Sequence, residues 1–451
     1  MIRLLELKIN SMVAHQMLKL SLIRLVPAGL FVTASIWHVD LDKSMQRFLL
    51  IVAILAVLLG GGGAAYLYFV GNPLEALLDE APENAGDLLP FGDDTPPATT
   101  TPDDVVVDVT TPLPIPTDSE SGAPAKLRKI SDGPVATGAV AYQATSSAPG
   151  VAIAFIERAS GNVFQYLMET DVVTRTSNRT VPGIQEAVWR PDGSRAYIRY
   201  LSGDTAETVH TYALPADGSG GFFLAQDLAS IETNATSILT LSSGDNGSIG
   251  TTARVDGSQS KRVFTTPLSS IYTSFLGTSQ YLVTTKASAT LAGYTYLVNA
   301  TGQFERLAGP LSGLSARPSP TGTWLLLSHI KDSVMHLSLL NLANREQITL
   351  PVATLADKCA WSKDATALYC GVPVAPPQGF AYPDDWYQGA VSFSDRIWRI
   401  DVAGRYAELV VDLVKEVGAP IDATALTLDP AESVLVFKNK RDASLWAYTL
   451  N

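Results

Sequence analysis

Residues able to perform acid–base or metal chemistry are sparse after residue 125. The three histidines of this region, His210, His329 and His336, lie in no metal or hydrolase motif, and neither HExxH nor GxSxG occurs. Several aspartates, such as Asp192, stand beside glycine, where a turn-forming role explains them. These patterns predict no metal site, no cofactor and no identifiable catalytic group.

The side chains most suited to binding are concentrated in residues 371–396. This segment holds Phe380, Tyr382, Asp384, Asp385, Trp386 and Tyr387 among prolines and glycines. Rigid aromatic side chains give contact area at little entropic cost, which favours a loop that contacts a partner. The alternative is that the segment packs on its own sheet and buries these rings.

The two cysteines, Cys359 and Cys370, flank a short strand–turn–strand pattern. If this hairpin closes at residues 363–366, the two sulfurs lie opposite each other, at a separation that a cross-strand disulfide can span. The alternative is a pair of small apolar core residues, because spacing does not report redox state.

Short alternating strands separated by Gly, Asn, Asp and Pro turns fill the chain from about residue 126 onward, with hardly any helical periodicity. Four segments share one theme, in which an apolar strand, a tight turn and a second apolar strand follow each other. They begin at Ala187 (AVWRPDGSRAYI), Ala316 (ARPSPTGTWLLL), Cys359 (CAWSKDATALYC) and Leu426 (LTLDPAESVLVF).

These segments resemble the WSPDG-type repeat of TolB-like, WD40-like (PD40-type) β-propellers, and residues 189–193 match it most fully. In such a repeat Pro sets φ at the first turn position and Gly accepts a positive φ. The resemblance implies an all-β propeller over residues 125–451. Further copies give blade starts near Ala139, Ala187, Ser237, Tyr272, Leu314, Cys359 and Ala425, hence seven four-stranded blades, with six or eight as alternatives.

The last blade ends without its outer strand. Residues 126–131 have the pattern of such a strand but no blade before them. We therefore expect this segment to complete the last blade, since closure by the chain ends removes an open sheet edge.

A run of about 23 uncharged residues at 48–70, FLLIVAILAVLLGGGGAAYLYFV, is long enough to cross a bilayer as a helix. Lys43 and Arg47 precede it and acidic residues follow, so the positive-inside rule predicts a cytoplasmic N-terminus and an extracytoplasmic propeller. Residues 45–71 are thus interpreted as a single-pass signal-anchor. A cleavable signal peptide is the alternative.

Residues 72–124 are rich in Pro, Thr and Asp, with about 12 acidic residues and no Lys or Arg, and they predict a disordered linker. Most of the formal charge of −12 therefore belongs to the linker. No Lys/Arg block follows, so nucleic acid is excluded as the expected partner. Residues 1–44 are interpreted as an upstream start-site artefact, with a short cytoplasmic or interfacial segment as the alternative.

Together these features predict a membrane-tethered, extracytoplasmic propeller that acts as a noncatalytic binding scaffold for a protein or cell-envelope polymer. The alternative is an enzyme acting on glycans or peptides through carboxylates of the central channel. Three or more acids converging at the channel mouth would favour the enzyme.

Overall fold

Seven four-stranded antiparallel sheets make up the part of the chain that the structure, a computed structural model, describes: residues 125–144, 150–202 and 208–450. Within each sheet the strands pair in chain order, except in the last sheet, which takes one strand from the start of the described region. The architecture is a seven-bladed β-propeller. The predicted all-β fold with four-stranded blades is therefore confirmed.

Strands are numbered in chain order, and the first, β1 (Leu127–Lys129), belongs to blade 7. Blade 1 consists of β2 (Val140–Gln143), β3 (Val151–Ile156), β4 (Val163–Leu167) and β5 (Val172–Arg175). Blade 2 consists of β6 (Ile184–Trp189), β7 (Arg195–Ser202), β8 (Thr208–Pro215) and β9 (Phe222–Phe223). Blade 3 consists of β10 (Leu228–Thr233), β11 (Ser237–Gly244), β12 (Gly247–Arg254) and β13 (Lys261–Thr266). Blades 4 and 5 consist of β14 (Ile271–Leu276), β15 (Gln280–Thr285), β16 (Ala292–Val298) and β17 (Phe304–Ser312); and β18 (Ser315–Pro318), β19 (Trp324–Lys331), β20 (Val334–Asn341) and β21 (Gln347–Thr349).

Blades 6 and 7 consist of β22 (Cys359–Trp361), β23 (Ala367–Pro373), β24 (Asp395–Asp401) and β25 (Tyr406–Asp412); and β26 (Ala423–Leu428), β27 (Val434–Asn439) and β28 (Leu445–Thr449) with β1. A 3-10 turn, Ala356–Lys358, precedes blade 6. Two short helices, α1 (Asp384–Gln388) and α2 (Leu413–Val417), lie in the connections that follow β23 and β25.

The first hairpin of blade 2 shows why the repeat motif makes a turn. Trp189 ends β6 and is buried, while Gly193 takes a positive φ of 69° that disfavours side chains. Asp192 accepts hydrogen bonds from the backbone N–H and the hydroxyl of Ser194, at 3.0 and 2.7 Å. The motif thus reverses the chain between two apolar strands.

Neighbouring blades pack face to face through buried apolar side chains. Ile156 and Val163 of blade 1, for example, share a cluster with Trp189, Ile198 and Leu214 of blade 2. Comparable clusters join every other pair of adjacent blades, including blades 7 and 1. Because each blade buries both faces, burial of apolar area around the ring stabilises the fold.

The ring closes as predicted, because β1 pairs with β28. Leu127 lies opposite Tyr448, and Lys129 lies opposite Trp446, in an antiparallel register. The backbone N–H of Ile130 extends the ladder to the carbonyl of Leu445 at 2.7 Å. The first strand of the propeller therefore supplies the outer strand of the last blade.

The predicted start of blade 3 at Ser237 is wrong, because Ser237 begins the second strand and the blade starts at Leu228. The turn between these strands contains no Pro-Asp-Gly. Instead the side chain of Asn234 accepts hydrogen bonds from the backbone N–H groups of Thr236 and Ser237, at 2.9 and 2.8 Å. An asparagine turn replaces the motif here, so a search for the motif misses the strand.

Within residues 125–144, 150–202 and 208–450, no helix has the length and apolar character needed to cross a membrane. The predicted helix at 48–70, the linker at 72–124 and the N-terminal segment at 1–44 lie outside the described residues.

Candidate functional site

The aromatic segment of blade 6 forms a closed insertion between β23 and β24. A hydrogen bond of 2.9 Å from the N–H of Val374 to the carbonyl of Ser394 joins its two ends. Helix α1 begins at Asp384, whose carboxylate accepts hydrogen bonds from Ala289 N at 2.8 Å and from the Ser288 hydroxyl at 3.2 Å. Because these partners belong to the β15–β16 loop, the insertion extends from blade 6 to blade 4.

The insertion buries three of its five aromatic rings and exposes the other two. Tyr382, Trp386 and Phe393 are 5%, 4% and 1% exposed, in a cluster that includes Met335 of blade 5. Phe380 and Tyr387 are 38% and 43% exposed. The insertion therefore has its own small core and keeps two rings available for contact.

Asp385 serves the loop itself, because its carboxylate accepts a hydrogen bond of 2.6 Å from the N–H of Ala381. The Tyr382 hydroxyl similarly donates to the carbonyl of Pro377 at 2.7 Å. Four of the six predicted binding residues have mainly structural roles: Tyr382, Asp384, Asp385 and Trp386. Phe380 presents exposed surface, and Tyr387 combines an exposed ring with a hydrogen bond from its hydroxyl to Asp357.

A fully buried ion cluster fixes the insertion to the propeller. Lys358 lies between Asp395, 2.8 Å away, and Asp422, and all three side chains are inaccessible to solvent. The second oxygen of Asp422 accepts hydrogen bonds from the indole N–H of Trp386 and from the N–H of Phe393, both at 2.9 Å. A residue of blade 7 thus positions Trp386 and, through it, the neighbouring Tyr387.

The carboxylate of Asp395 has fewer hydrogen-bond partners than that of Asp422, and its negative charge is therefore less well stabilised. Oδ2 of Asp395 contacts Lys358 and accepts from Ala423 N at 2.7 Å, but Oδ1 has no hydrogen-bond partner. Burial raises the pKa of Asp395 to about 6, and the nearby charge of Asp422 adds to this rise, while Lys358 opposes it. One lysine faces two carboxylates, so the cluster retains a proton on Asp395 more readily than an exposed aspartate does.

The central channel contains a cavity of about 850 Å³. Its walls come from blades 2, 3, 4, 5 and 7, from Thr137 ahead of blade 1 and from Asp357 in the 3-10 turn ahead of blade 6. The insertion contributes Trp386 and Tyr387. Charged groups on the wall include Glu186, Arg199, Glu232, Lys286, Arg317, Asp357, Lys438 and Lys440. The channel is therefore a polar cavity with both signs of charge.

The channel carboxylates are already engaged by the protein. Glu186 pairs with Arg199 at 2.7 Å, and Asp357 pairs with Arg317 at 3.1 Å. Asp357 also accepts a hydrogen bond from the Tyr387 hydroxyl, which connects the insertion to the 3-10 turn before blade 6. Both carboxylates therefore have an arginine partner within the protein.

Glu232, the third acid of the wall, accepts hydrogen bonds from the Ser274 hydroxyl at 3.0 Å and from Phe275 N at 3.3 Å. Burial raises the pKa of its carboxyl above the usual value, and the charge of Arg317 offsets only part of this rise.

In the described residues, no group of three or more His, Cys, Asp or Glu side chains is arranged to hold a metal ion.

Cys359 and Cys370 lie directly opposite each other in β22 and β23, and their sulfurs are bonded. The disulfide lies beside the insertion, because Cys370 is in the strand that leads into it. Its constraint therefore acts on the β22–β23 hairpin, whose second strand leads into the insertion.

Sequence reasoning missed the channel residues Tyr272, Arg317, Lys438 and Lys440. The sequence does contain a signal for the two lysines. Residues 437–440 read FKNK, so a lysine stands on each side of Asn439, the last residue of the otherwise apolar strand β27. Which alternating side chains face a propeller axis depends on the packing of neighbouring blades, so the pattern alone does not identify them.

Comparison with known proteins gives structural neighbours only, because no protein-family model and no curated protein matches the chain. The β-propeller domain of the Trilobed protease from Pyrococcus furiosus is 10% identical, with a TM-score of 0.46, over 70% of this chain and 95% of that one. Oligogalacturonate lyase in complex with manganese is also 10% identical, with a TM-score of 0.45, over 70% of this chain and 97% of that one.

TolB from Acinetobacter baumannii is similar over 68% of this chain and 78% of its own length, at 10% identity and a TM-score of 0.39. Structural neighbours thus include TolB and a propeller domain. The predicted propeller is confirmed by the strand topology of the chain itself. Function has to be argued from the residues of this chain.

Proposed function

We propose that this protein is a noncatalytic binding scaffold, tethered to a membrane through residues 45–71, with its propeller outside the cytoplasm. Its binding surface consists of the channel and the exposed part of the blade 6 insertion. The partner is a protein or a cell-envelope polymer. The linker at 72–124 would hold this surface away from the membrane.

The observation that carries the proposal is the state of the channel carboxylates. An enzyme acting on glycans or peptides needs at least one carboxylate free to exchange a proton with the substrate or to attack it. Glu186, Glu232 and Asp357 all line the channel, and three such acids favour the alternative, an enzyme. Each of them, however, accepts hydrogen bonds from neighbouring donors of the protein. Exposed Phe380 and Tyr387, by contrast, offer contact area without chemistry.

Site-specific photocrosslinking of the full chain in its native membrane tests the proposal. A benzoylphenylalanine at position 380 or 387 should give discrete adducts, because both side chains are exposed on the insertion. Position 223 is the matched control, since Phe223 is 63% exposed on the short outer strand of blade 2.

Adducts at 380 or 387 but not at 223 support the proposed surface. No adduct at either insertion position, or equal adducts at all three, contradicts it. The tether is tested in the same preparation, because a membrane-spanning chain stays in the pellet after carbonate extraction and an untethered chain is released.

A further inference from the structure

Two lysines of blade 7 line the channel without a carboxylate partner among the described residues. Lys438 is in β27, and Lys440 follows this strand directly. The Lys438 ammonium donates to the Thr137 hydroxyl at 2.5 Å, and the Lys440 nitrogen lies 5.2 Å from the centre of the Trp386 ring. Both cations therefore have only neutral direct partners.

Burial is the largest cause of the lowered pKa of both lysines. It lowers the pKa of Lys438 to about 8, and the charges of Arg158 and Lys440 lower it further. Burial also lowers the pKa of Lys440, where the charge of Asp422 opposes the change more than the charge of Lys358 adds to it. A bound anion would compensate for the desolvation of these two ammonium groups, so this part of the channel wall favours negative charge.

The other walls of the channel contain aromatic surface and buried polar groups. The hydroxyls of Ser230 and Thr273 have no hydrogen-bond partner among the described residues, and both residues line the cavity. Their oxygens are buried beneath the cavity surface, so they make the wall polar without being exposed to a ligand. Exposed Tyr272 and Tyr387 add ring surface to the same cavity.

Charge is distributed unevenly in the channel, and this distribution selects among anionic ligands. Glu186 and Glu232 lie on blades 2 and 3, and Asp357 lies in the 3-10 turn before blade 6. Lys438 and Lys440 both come from blade 7, and a third channel lysine, Lys286, follows β15 of blade 4 and lies over the Tyr272 ring. An oligomer with a carboxylate on every unit would place negative charge against the three acids. A peptide can direct its acidic side chains to the lysines of one wall and its apolar side chains to the tyrosine rings.

We propose that Lys438 and Lys440 form a carboxylate-binding site for an acidic peptide segment of a partner protein that enters the central channel. This inference rests on the proposed binding function and specifies its ligand. Each carboxylate would form a charge-assisted hydrogen bond with a lysine, which is stronger than a neutral one. The tyrosine rings would pack against the adjacent side chains of the peptide.

Fluorescence anisotropy with the full chain in detergent micelles tests the site directly. The probe is a rhodamine-labelled peptide, Gly-Asp-Phe-Asp-Asp-Gly, and its counterpart carries Asn in place of each Asp. We expect the acidic probe to bind at least about tenfold more tightly than its counterpart, and salt to weaken its binding. The K438M/K440M variant should lose this preference, and K438R/K440R should retain it.

K363M/K415M is the matched control, because it removes two exposed lysines that do not line the channel. Thermal unfolding verifies that each variant is folded. The inference is overturned if the two peptides bind equally, if K438M/K440M binds the acidic probe as the wild type does, or if K363M/K415M loses binding to the same extent. It is also overturned if tetragalacturonate binds through the same lysines and the peptide does not.

Failure of this site and failure of the scaffold are distinguishable. If a partner crosslinks at position 387 equally in the presence and absence of K438M/K440M, the scaffold stands and the carboxylate site is wrong. If no partner crosslinks at the insertion, the scaffold itself is contradicted, whatever the peptide does in solution.

Discussion

Blade 2 and blade 6 use the same turn in very different surroundings. Blade 2 contains the most complete copy of the motif, and Asp192 and Gly193 serve only the turn between β6 and β7. In blade 6 the equivalent turn places Asp364 in the same capping role, with Ala365 at a positive φ of 61°. The less complete copy lies in the blade that carries the insertion, the disulfide and the buried ion cluster.

The difference shows that completeness of the motif reports turn geometry and does not mark the candidate site. Blade 6 tolerates a non-glycine residue in its turn, while its distinctive energetics come from Lys358, Asp395 and Asp422. A comparison of the two blades therefore separates residues that make the repeat from residues that position Tyr387 in the channel.

Removal of the central acceptor in blade 6 should have the largest effect. Asp422→Asn places an amide where Lys358, Trp386 N–H and Phe393 N–H all need an acceptor. Because breaking a buried ion pair costs about 3–5 kcal/mol, we expect a loss of this size in the free energy of unfolding. Urea denaturation measures the loss, and a change below about 1 kcal/mol would contradict the assigned role of the cluster.

Asp395→Asn is the matched control, because it leaves Lys358 with one carboxylate and keeps an acceptor for Ala423 N. In the wild type the pKa of Asp395 is raised, so the folded state holds a proton that the unfolded state releases between about pH 4 and 6. Stability therefore falls as pH rises through this window. D395N should gain about 2 kcal/mol relative to the wild type between about pH 4.5 and pH 7.5. If the difference in unfolding free energy between D395N and the wild type is the same at both pH values, the pKa of Asp395 is not raised.

Reduction of the Cys359–Cys370 bond should have the next largest effect. The bond closes a short loop with a sequence separation of 11, for which chain entropy predicts a loss of about 3 kcal/mol at most. Urea denaturation with and without reductant measures it. Mass spectrometry after alkylation provides the control, since thiols that react before any reduction would show that the bond is absent.

A smaller effect is expected from Gly193→Ala in blade 2. The added Cβ would come within 2.4 Å of the Tyr142 ring, at a φ that disfavours side chains. We expect a cost of about 2 kcal/mol from strain and displacement of the ring. Thermal unfolding of the variant measures this loss of stability. An unchanged melting temperature would show that the turn does not require glycine.

The reciprocal variant, Ala365→Gly in blade 6, should have the smallest effect. Glycine relieves the left-handed strain by about 1 kcal/mol, but the buried methyl group of Ala365 contributes about 0.8 kcal/mol in the opposite direction. The two contributions nearly cancel. A change in stability larger than about 1 kcal/mol in either direction would show that the two turns are not equivalent.

Much of the propeller could be predicted because the relevant signals are local. Alternation of apolar residues and turn chemistry predict hairpins such as β6–β7, and the pattern of residues 126–131 predicts the closing strand. The error at Ser237 is local as well, since Asn234 makes a turn that the motif does not describe. The insertion was recognised as a distinct loop, but its partners were not predictable.

The sequence by itself predicted the repeat, the closing role of residues 126–131 and the facing positions of Cys359 and Cys370, whereas the strand pairing of the structure decided that the blades number seven and not six or eight. Tertiary structure alone decided that Trp386 is buried while Tyr387 faces the channel, and that Lys358 is paired while Lys438 has no carboxylate partner among the described residues. The physical reason is distance along the chain. Hairpins form between neighbouring residues, whereas the burial and charge of a channel side chain depend on blades that meet only when the ring closes.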